Sequence, residues 1–277
     1  AEIPIPGAPT EPKRILESEI PTEAIQYCTT CMACVESCPV LIDPLNKIME
    51  LRRNEVMIHD RFPDTYADVL MGIEKRGNPW NEHPTSRMEW AKGFEVPIMA
   101  DMAEEGKKVD YLFWVGCSAA YDPRNTKIAQ SMVKILQAAN VNFAVLGEEE
   151  RCTGDAARRM GQEYLFSIQA ESNVELLAEY TFDHILTICP HCYNSFAQEY
   201  PDFGGEYSVI HHTELIKNLI EDGRLTLTQS VDAVATFHDA CYLGRHNGIF
   251  DAPRDILAKI PGLKTVEMDR NREMGMC

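Results

Sequence analysis

The sequence predicts a multi-domain α+β protein: an all-helical domain built around a cysteine run, then two α/β domains with parallel sheets, the second incomplete. Three observations predict it. Residues 23–100 show helical apolar spacing interrupted by breakers, with no strand-like run. From Val109 onward, short β-branched and aromatic runs alternate with amphipathic helices, the grammar of a parallel sheet with right-handed crossovers. That grammar restarts near Ala233: Cys117 to Cys152 is 35 positions and Cys241 to Cys277 is 36, an internal repeat whose second copy stops at its second cysteine. The expected division is an extended linker over 1–22, a helical domain over 23–100, a first α/β domain over 101–230 and the start of a second over 231–277.

Taken in order, residues 1–22 hold five prolines and little periodicity, as a linker does. Thr22 caps a short helix leading to Cys28. Leu45, Ile48, Met49 and Leu51 place a helical stripe on Asp43–Arg53, and a further helix runs over Thr65–Lys75 until Gly77-Asn78-Pro79-Trp80 breaks it. Residues 78–100 read as an irregular connector. Strands follow at Val109–Val115, Asn142–Leu146, His184–Ile188 and Tyr207–His211. Helices lie between and after them at Asn125–Ala139, Ala156–Glu179, from Pro190, which suits a first helical position, and at Thr213–Asp222. The restart supplies a strand at Ala233–Phe237, a helix at Asp251–Lys259 and a strand at Leu263–Met268.

Composition narrows the function. At 277 residues with 45% hydrophobic content, two or three domains each have enough chain for a core. A formal net charge of −17 makes nucleic acid a poor partner and suits a basic protein surface. No run of eighteen apolar residues is present, so nothing in the sequence reads as a membrane span. The start, Ala-Glu-Ile-Pro, shows no signal peptide. The ten cysteines fall as a run of four, then Cys117, Cys152, Cys189 with Cys192, Cys241 and Cys277; C-x-x-C spacing without a secretion signal favours metal binding over disulfides.

Cys28-Thr-Thr-Cys31-Met-Ala-Cys34-Val-Glu-Ser-Cys38-Pro39 reads C-x2-C-x2-C-x3-C-P, the bacterial ferredoxin run that holds a [4Fe–4S] cluster. The alternatives are a zinc knuckle or a chance cluster of buried thiols. In two-cluster ferredoxins the fourth cysteine of such a run serves the other cluster, yet only one run is present here. That mismatch and the interrupted repeat lead to the expectation that this chain is a piece of something longer. Cys117, Cys152 and Cys189 each follow the carboxyl end of an expected strand, the edge where ligands sit in open α/β sheets. Cys192, one helical turn on, reaches the same rim. Four thiolates around one centre bind Zn²⁺ or an iron–sulfur cluster, and spacing does not choose between them.

The arrangement Cys117…Cys152-Thr153-Gly154…Cys189-Pro190-His191-Cys192 resembles the cysteine-rich CCG domain of heterodisulfide reductase, which occurs in tandem and whose five cysteines can hold a noncubane [4Fe–4S] cluster. Thr153 stands where that pattern has its second adjacent cysteine, which favours zinc or a four-ligand cluster at Cys117, Cys152, Cys189 and Cys192. Cys241 and Cys277 are the better candidates for a noncubane cluster. Further segments, among them Gly77-Asn78-Pro79-Trp80, Glu199-Tyr200-Pro201, His211-His212-Thr213 and Cys241-Tyr242-Leu243-Gly244-Arg245-His246-Asn247, are similar to the iron–sulfur oxidoreductases that pass electrons from electron-transfer flavoprotein to menaquinone. The resemblance implies an iron–sulfur electron-transfer module of a membrane-associated oxidoreductase. It implies an electron-transfer flavoprotein or similar flavoprotein donor, and a cytochrome-b-type, quinone-reactive partner or N-terminal part. It further implies a cytoplasmic location at the inner face of the membrane. The alternative it carries is a disulfide-reducing enzyme working at Cys241 and Cys277.

Single residues complete the expectations. His191 reads as a structural hydrogen-bonder between two ligands. His211-His212 and His238-Asp239 orient loops around a centre or shuttle protons. Asp155 is an N-cap, and Arg158-Arg159 are either a solvated face or compensation for cluster charge. Arg52-Arg53 and Lys107-Lys108 receive no role. No glycine-rich phosphate loop is present, and no flavin or nicotinamide site is legible.

Overall fold

The computed structural model describes residue 16 and residues 20–40 and 42–275. Cys277 and nearly all of the expected 1–22 linker lie outside the described residues. Thr22 is the first residue of α1 (Thr22–Gln26) rather than its cap; Pro21 holds that position. The cysteine run winds through α2 (Ala33–Glu36), with Thr30 and Met32 both in the left-handed region. Asp43 caps α3 (Pro44–Arg53), its side chain accepting from the Leu45 N–H at 2.8 Å, and Pro44 supplies the preset first turn. The helix runs on as a π turn over Asn54–Ile58. α4 (Asp64–Arg76) ends at Gly77, whose φ of +66° closes it. Residues 78–98 are irregular apart from two 3₁₀ turns, Pro84–Ser86 and Glu89–Ala91, before α5 (Met99–Glu104). The connector is not a surface loop: Trp90 and Ala91 are buried in the main core.

A parallel four-stranded sheet follows, in the spatial order β2-β1-β3-β4. Its strands are β1 (Val109–Trp114), β2 (Phe143–Ala144), β3 (Phe182–Thr187) and β4 (Val209–His211). Between and after them run α6 (Cys117–Tyr121), α7 (Pro123–Ala138), α8 (Asp155–Met160), α9 (Glu163–Leu177), α10 (Pro190–Asn194) and α11 (His212–Glu221). Alternation along β1 sends Phe113 and Val115 to one face, where they meet Met132, Val133 and Leu136 of α7 and Leu215 and Leu219 of α11. Leu112 and Trp114 go to the other face and pack with Phe166, Ala170 and Leu177 of α9 and with Phe196 and Tyr200. The sheet is thus a middle layer with helices on both sides.

The second unit shows β5 (Ala233–Ala235) and β6 (Leu263–Thr265) as a parallel pair, joined through α12 (Asp251–Lys259). The mixed helix and parallel-sheet architecture agrees with the sequence reading, and the regular ladders are shorter than the apolar runs that announced them.

One element differs in kind. The helix expected over Ala156–Glu179 is two helices, α8 and α9, broken at Gly161 with a φ of +92°. A Cβ there would stand 2.9 Å from Arg52 Cγ and 3.0 Å from the Arg52 carbonyl, so the break makes room for α3. Asp155 is the first residue of α8 rather than its cap; Gly154 takes the cap position at a φ of +84°.

Candidate functional site

Cys117, Cys152 and Cys189 follow β1, β2 and β3 at one rim of the sheet, and Cys192 lies one turn into α10. All four line a single, mainly apolar cavity of about 360 Å³, together with Trp80, Ser118, Ile128 and His191. They form two thiol–thiol pairs, Cys117 with Cys152 and Cys189 with Cys192. The hydrogen bond from Cys192, helped by a backbone N–H and despite burial, pulls Cys189 down to about 6; the same bond and burial push Cys192 up. In the other pair Cys117 is lowered by its bond from Cys152, and by Arg87, against burial, while Cys152 is raised. The backbone between β1 and α6 passes close to the sulfurs. Gly116 has a φ of +80°, and a Cβ on it would meet Cys192 Sγ at 3.6 Å.

Polar groups surround the sulfurs. Arg87 Nη1 donates to Cys117 Sγ at 3.4 Å, and the Gly154 N–H donates to Cys152 Sγ at 3.4 Å. Arg87 also pairs with Glu150, both side chains buried, and Glu150 accepts from the Val115 and Gly116 N–H groups at 3.0 and 2.8 Å. Thr153, which stands at the second position of the adjacent-cysteine pattern, is buried and turns its hydroxyl to Cys192 Sγ at 3.9 Å. His191 makes its structural hydrogen bond to Asp155, Nδ1 to carboxylate at 2.9 Å, and Asp155 also takes Arg159 Nε at 3.1 Å. Arg159 and Arg158 are not a solvated face: both pair with Glu199. Burial acts to raise Asp155, but His191 and Arg159 together hold it below the ordinary carboxylate range.

The cysteine run forms the second group. The Thr30 N–H lies 3.4 Å from Cys28 Sγ and the Ile42 N–H 3.3 Å from Cys38 Sγ. Cys34 is exposed, and Cys28, Cys31 and Cys38 are half-buried. Burial acts to raise Cys31, but the Ala33 N–H, the Thr29 side chain and the Arg245 guanidinium outweigh it and the thiol is lowered. Arg52, given no role from sequence, is buried and donates to the carbonyls of Ile25 and of Cys28, the latter at 2.7 Å. From the second unit, Arg245 Nε holds the Cys31 carbonyl at 2.6 Å and His246 Nε2 meets the Thr30 carbonyl at 2.9 Å. The segment after Cys241 therefore packs on the cysteine run, and through Tyr242 it also reaches His191 at the wall of the cavity.

His211 and His212 end β4 and open α11; burial pushes them down to about 2 and about 4. Among the described residues neither His211 Nε2 nor His212 Nδ1 has a hydrogen-bond partner. His238 is exposed, whereas Asp239 is buried and pairs with Arg254 at 2.6 Å.

Among the described residues no three His, Cys, Asp or Glu side chains are grouped to hold one metal ion. Zn²⁺ would draw its sulfurs to about 2.3 Å from one point. A four-iron cluster spreads its ligands around a cube, and N–H groups directed at sulfur are what such clusters recruit. The donor set, all thiol with N–H groups on Cys28, Cys38 and Cys152, fits that group. Arg87, Glu150, Arg52 and Tyr242 were missed from sequence. Arg87, Glu150 and Arg52 lie in a segment without periodicity or among charges that read as surface, and Tyr242 entered only within the resembling stretch 241–247.

A model of the cysteine-rich CCG domain matches residues 111–197 and again 235–277. The chain is 44% identical over 261 residues to a probable iron–sulfur-binding oxidoreductase, FadF, of Bacillus subtilis, covering 93% of this chain and 37% of that protein. It is 37% identical over 264 residues to an EtfAB:quinone oxidoreductase of Syntrophomonas wolfei, covering 95% and 37%. With a component of the dihydromethanophenazine:CoB–CoM heterodisulfide reductase of Methanosarcina mazei it shares 32% identity over 276 residues, covering 96% and 64%. The chain thus spans little more than a third of the first two relatives. No solved structure matches.

Proposed function

We propose that the chain belongs to the cysteine-rich CCG-domain family of iron–sulfur oxidoreductases, whose domain model and members it matches, and that it is the iron–sulfur electron-transfer module of a membrane-associated enzyme working between a flavoprotein and the quinone pool. In this reading residues 23–100 are a helical ferredoxin-type domain, residues 101–230 the first CCG domain and residues 231–277 the start of a tandem second. Cys28, Cys31, Cys34 and Cys38 hold a [4Fe–4S] cluster. Cys117, Cys152, Cys189 and Cys192 hold a second metal centre, a cluster in preference to Zn²⁺, and Cys241 and Cys277 belong to a third. Bound clusters supply one-electron transfer at potentials set by hydrogen bonds and exposure. The chain's own part is to orient the thiolates. Arg87 and the Gly154 N–H bond the sulfurs of Cys117 and Cys152, while Arg52 and Arg245 fix the carbonyls of the cysteine run.

The observation that carries the reading is the proximity of the two cysteine groups. The run is held by residues 242–246, which also touch the Cys189–Cys192 turn, so donor and acceptor sites share one buried wall. The half-exposed side of the run, with Cys34, Tyr27 and Ile42 at the surface, suits docking of a flavoprotein. A quinone-reactive partner is supported by the name of the Syntrophomonas wolfei relative, and a location at the inner face of the membrane is part of the same proposal. No helix among the described residues is long and apolar enough to cross one.

A second reading, disulfide reduction, is favoured by one feature: the apolar cavity beside the four rim thiols, with Trp80 and Ile128 half-exposed at its wall. A covalent substrate needs such space, whereas a relay does not. Stopped-flow mixing of the full-length, iron-loaded protein with reduced electron-transfer flavoprotein separates the two. Bleaching of cluster absorbance followed by reoxidation on adding a menaquinone analogue supports the relay. Reoxidation by a disulfide but not by quinone overturns it.

A further inference from the structure

We propose that Tyr242 couples the two cysteine centres, as a positioning residue that locks the loop of the cysteine run to the Cys189–Cys192 turn. The proposal rests on the electron-transfer reading and deepens it. Tyr242 is 1% exposed, and its hydroxyl pairs with Thr30 Oγ1 at 2.6 Å. Thr30 lies between Cys28 and Cys31, is itself buried, and has a φ of +57° that the loop must be held to keep. The Tyr242 ring stacks on His246 at 4.0 Å between centroids and 7° between planes. His246 returns to the same loop through the Thr30 carbonyl at 2.9 Å. On the side of the other centre, the His191 ring lies 4.1 Å from the Tyr242 ring. His191 stands between Cys189 and Cys192 in sequence and is fixed by Asp155.

Two further anchors keep the phenol in place. The Arg159 guanidinium lies 5.3 Å from its ring centroid, itself held by Asp155 and Glu199. The Asn247 amide bridges the Tyr242 carbonyl at 2.6 Å and Asn194 Oδ1 of α10 at 3.1 Å. Packing alone needs only a ring. A buried hydroxyl costs free energy unless bonded, and here its partner is a residue of the cysteine run. Any displacement of the Cys189–Cys192 turn that moves His191 is therefore felt at Thr30 through one side chain, and the linkage is reciprocal. Tyr242 gains and loses no electron or proton in this role.

The test is an EPR-monitored redox titration of the Cys28–Cys38 cluster in the full-length iron-loaded protein. Wild type, Tyr242→Phe and Tyr242→Leu are each compared with and without Cys117→Ser plus Cys152→Ser, which dismantle the other centre. In the wild-type background the double serine variant changes the reduction equilibrium of the Cys28–Cys38 cluster about tenfold, about 59 mV for one electron. Tyr242→Leu abolishes that response and Tyr242→Phe, which keeps the ring, weakens it; Thr30→Val reproduces Tyr242→Phe from the other end of the bond. An undiminished response in Tyr242→Leu overturns the proposal. Alkylation of Cys31 in chelator-stripped protein supplies a readout that needs no cluster. It accelerates severalfold in Tyr242→Leu, and the double serine change accelerates it only where Tyr242 is present. Equal rates throughout overturn the coupling, whereas a wild type that binds no iron contradicts only the electron-transfer reading.

Discussion

Replacing Arg87 by Met tests how the rim of the first centre is built. The Arg87–Glu150 pair is buried, with side chains 3% and 2% exposed. Arg87→Met keeps the length and apolar stem of the side chain and removes the charge. Breaking a buried pair from one side costs about 3–5 kcal/mol because the remaining charge is left uncompensated. Glu150 keeps two backbone donors, Val115 and Gly116, so the lower end applies, about 3 kcal/mol. For a chain of this size that corresponds to a fall in Tm of about 6–12 °C. Glu150→Gln in the same background removes the stranded carboxylate and recovers part of the loss, the signature of an interacting pair. The assay is urea unfolding of the four variants of the cycle, followed by circular dichroism. A loss within about 1 kcal/mol for Arg87→Met, or simple additivity in the cycle, refutes the reasoning.

Other consequences follow from the same geometry. Gly161→Ala places a Cβ against the Arg52 backbone at 3.0 Å and forces a φ of +92° on an L-residue; a loss of about 2–4 kcal/mol is expected in urea unfolding, with faster alkylation of Cys28 as Arg52 shifts. His211 and His212, pushed down to about 2 and about 4 by burial, titrate near 6.5 when unfolded, so the unfolded chain takes up more protons in mild acid. Their contribution to stability is intact above pH 6.5 and is lost as pH falls below it, by about 3 kcal/mol for the two together at pH 5.5. His211→Gln with His212→Asn flattens that part of the profile. In chelator-treated native protein, alkylation labels exposed Cys34 before buried Cys117, Cys152 and Cys192; the reverse order contradicts the arrangement of the thiols.

The alternation of apolar runs and helices placed Cys117, Cys152 and Cys189 at the ends of three parallel strands, because strand and helix periodicities are local properties of the chain. The same locality explains what was not legible. Gly161 interrupts a continuous helical pattern for the sake of Arg52, more than a hundred positions away, and a window of neighbours carries no trace of that contact. Arg52 received no role from sequence and Arg159 was left between a solvated face and charge compensation, yet each is drawn inward by groups distant in sequence, the Cys28 carbonyl in one case and Glu199 in the other. Arg87 sat in a stretch without periodicity. Its role depends on Glu150 arriving from the far side of β2, a pairing that only the finished sheet creates. Tyr242 stood out only as part of a family resemblance, and its hydroxyl acquired meaning once Thr30 was seen beside it.

The most direct measurement is the iron, acid-labile sulfide and zinc content of the anaerobically purified full-length protein, read with EPR of its reduced and oxidised states. Iron and sulfide in near-equal amounts, with a reduced-cluster signal lost in Cys31→Ser, is the predicted result. A second set of iron atoms should disappear in Cys189→Ser. Zinc in place of that second set would turn the rim cysteines into a structural site while leaving the cysteine run as the redox centre. Protein without iron would contradict the account at its root.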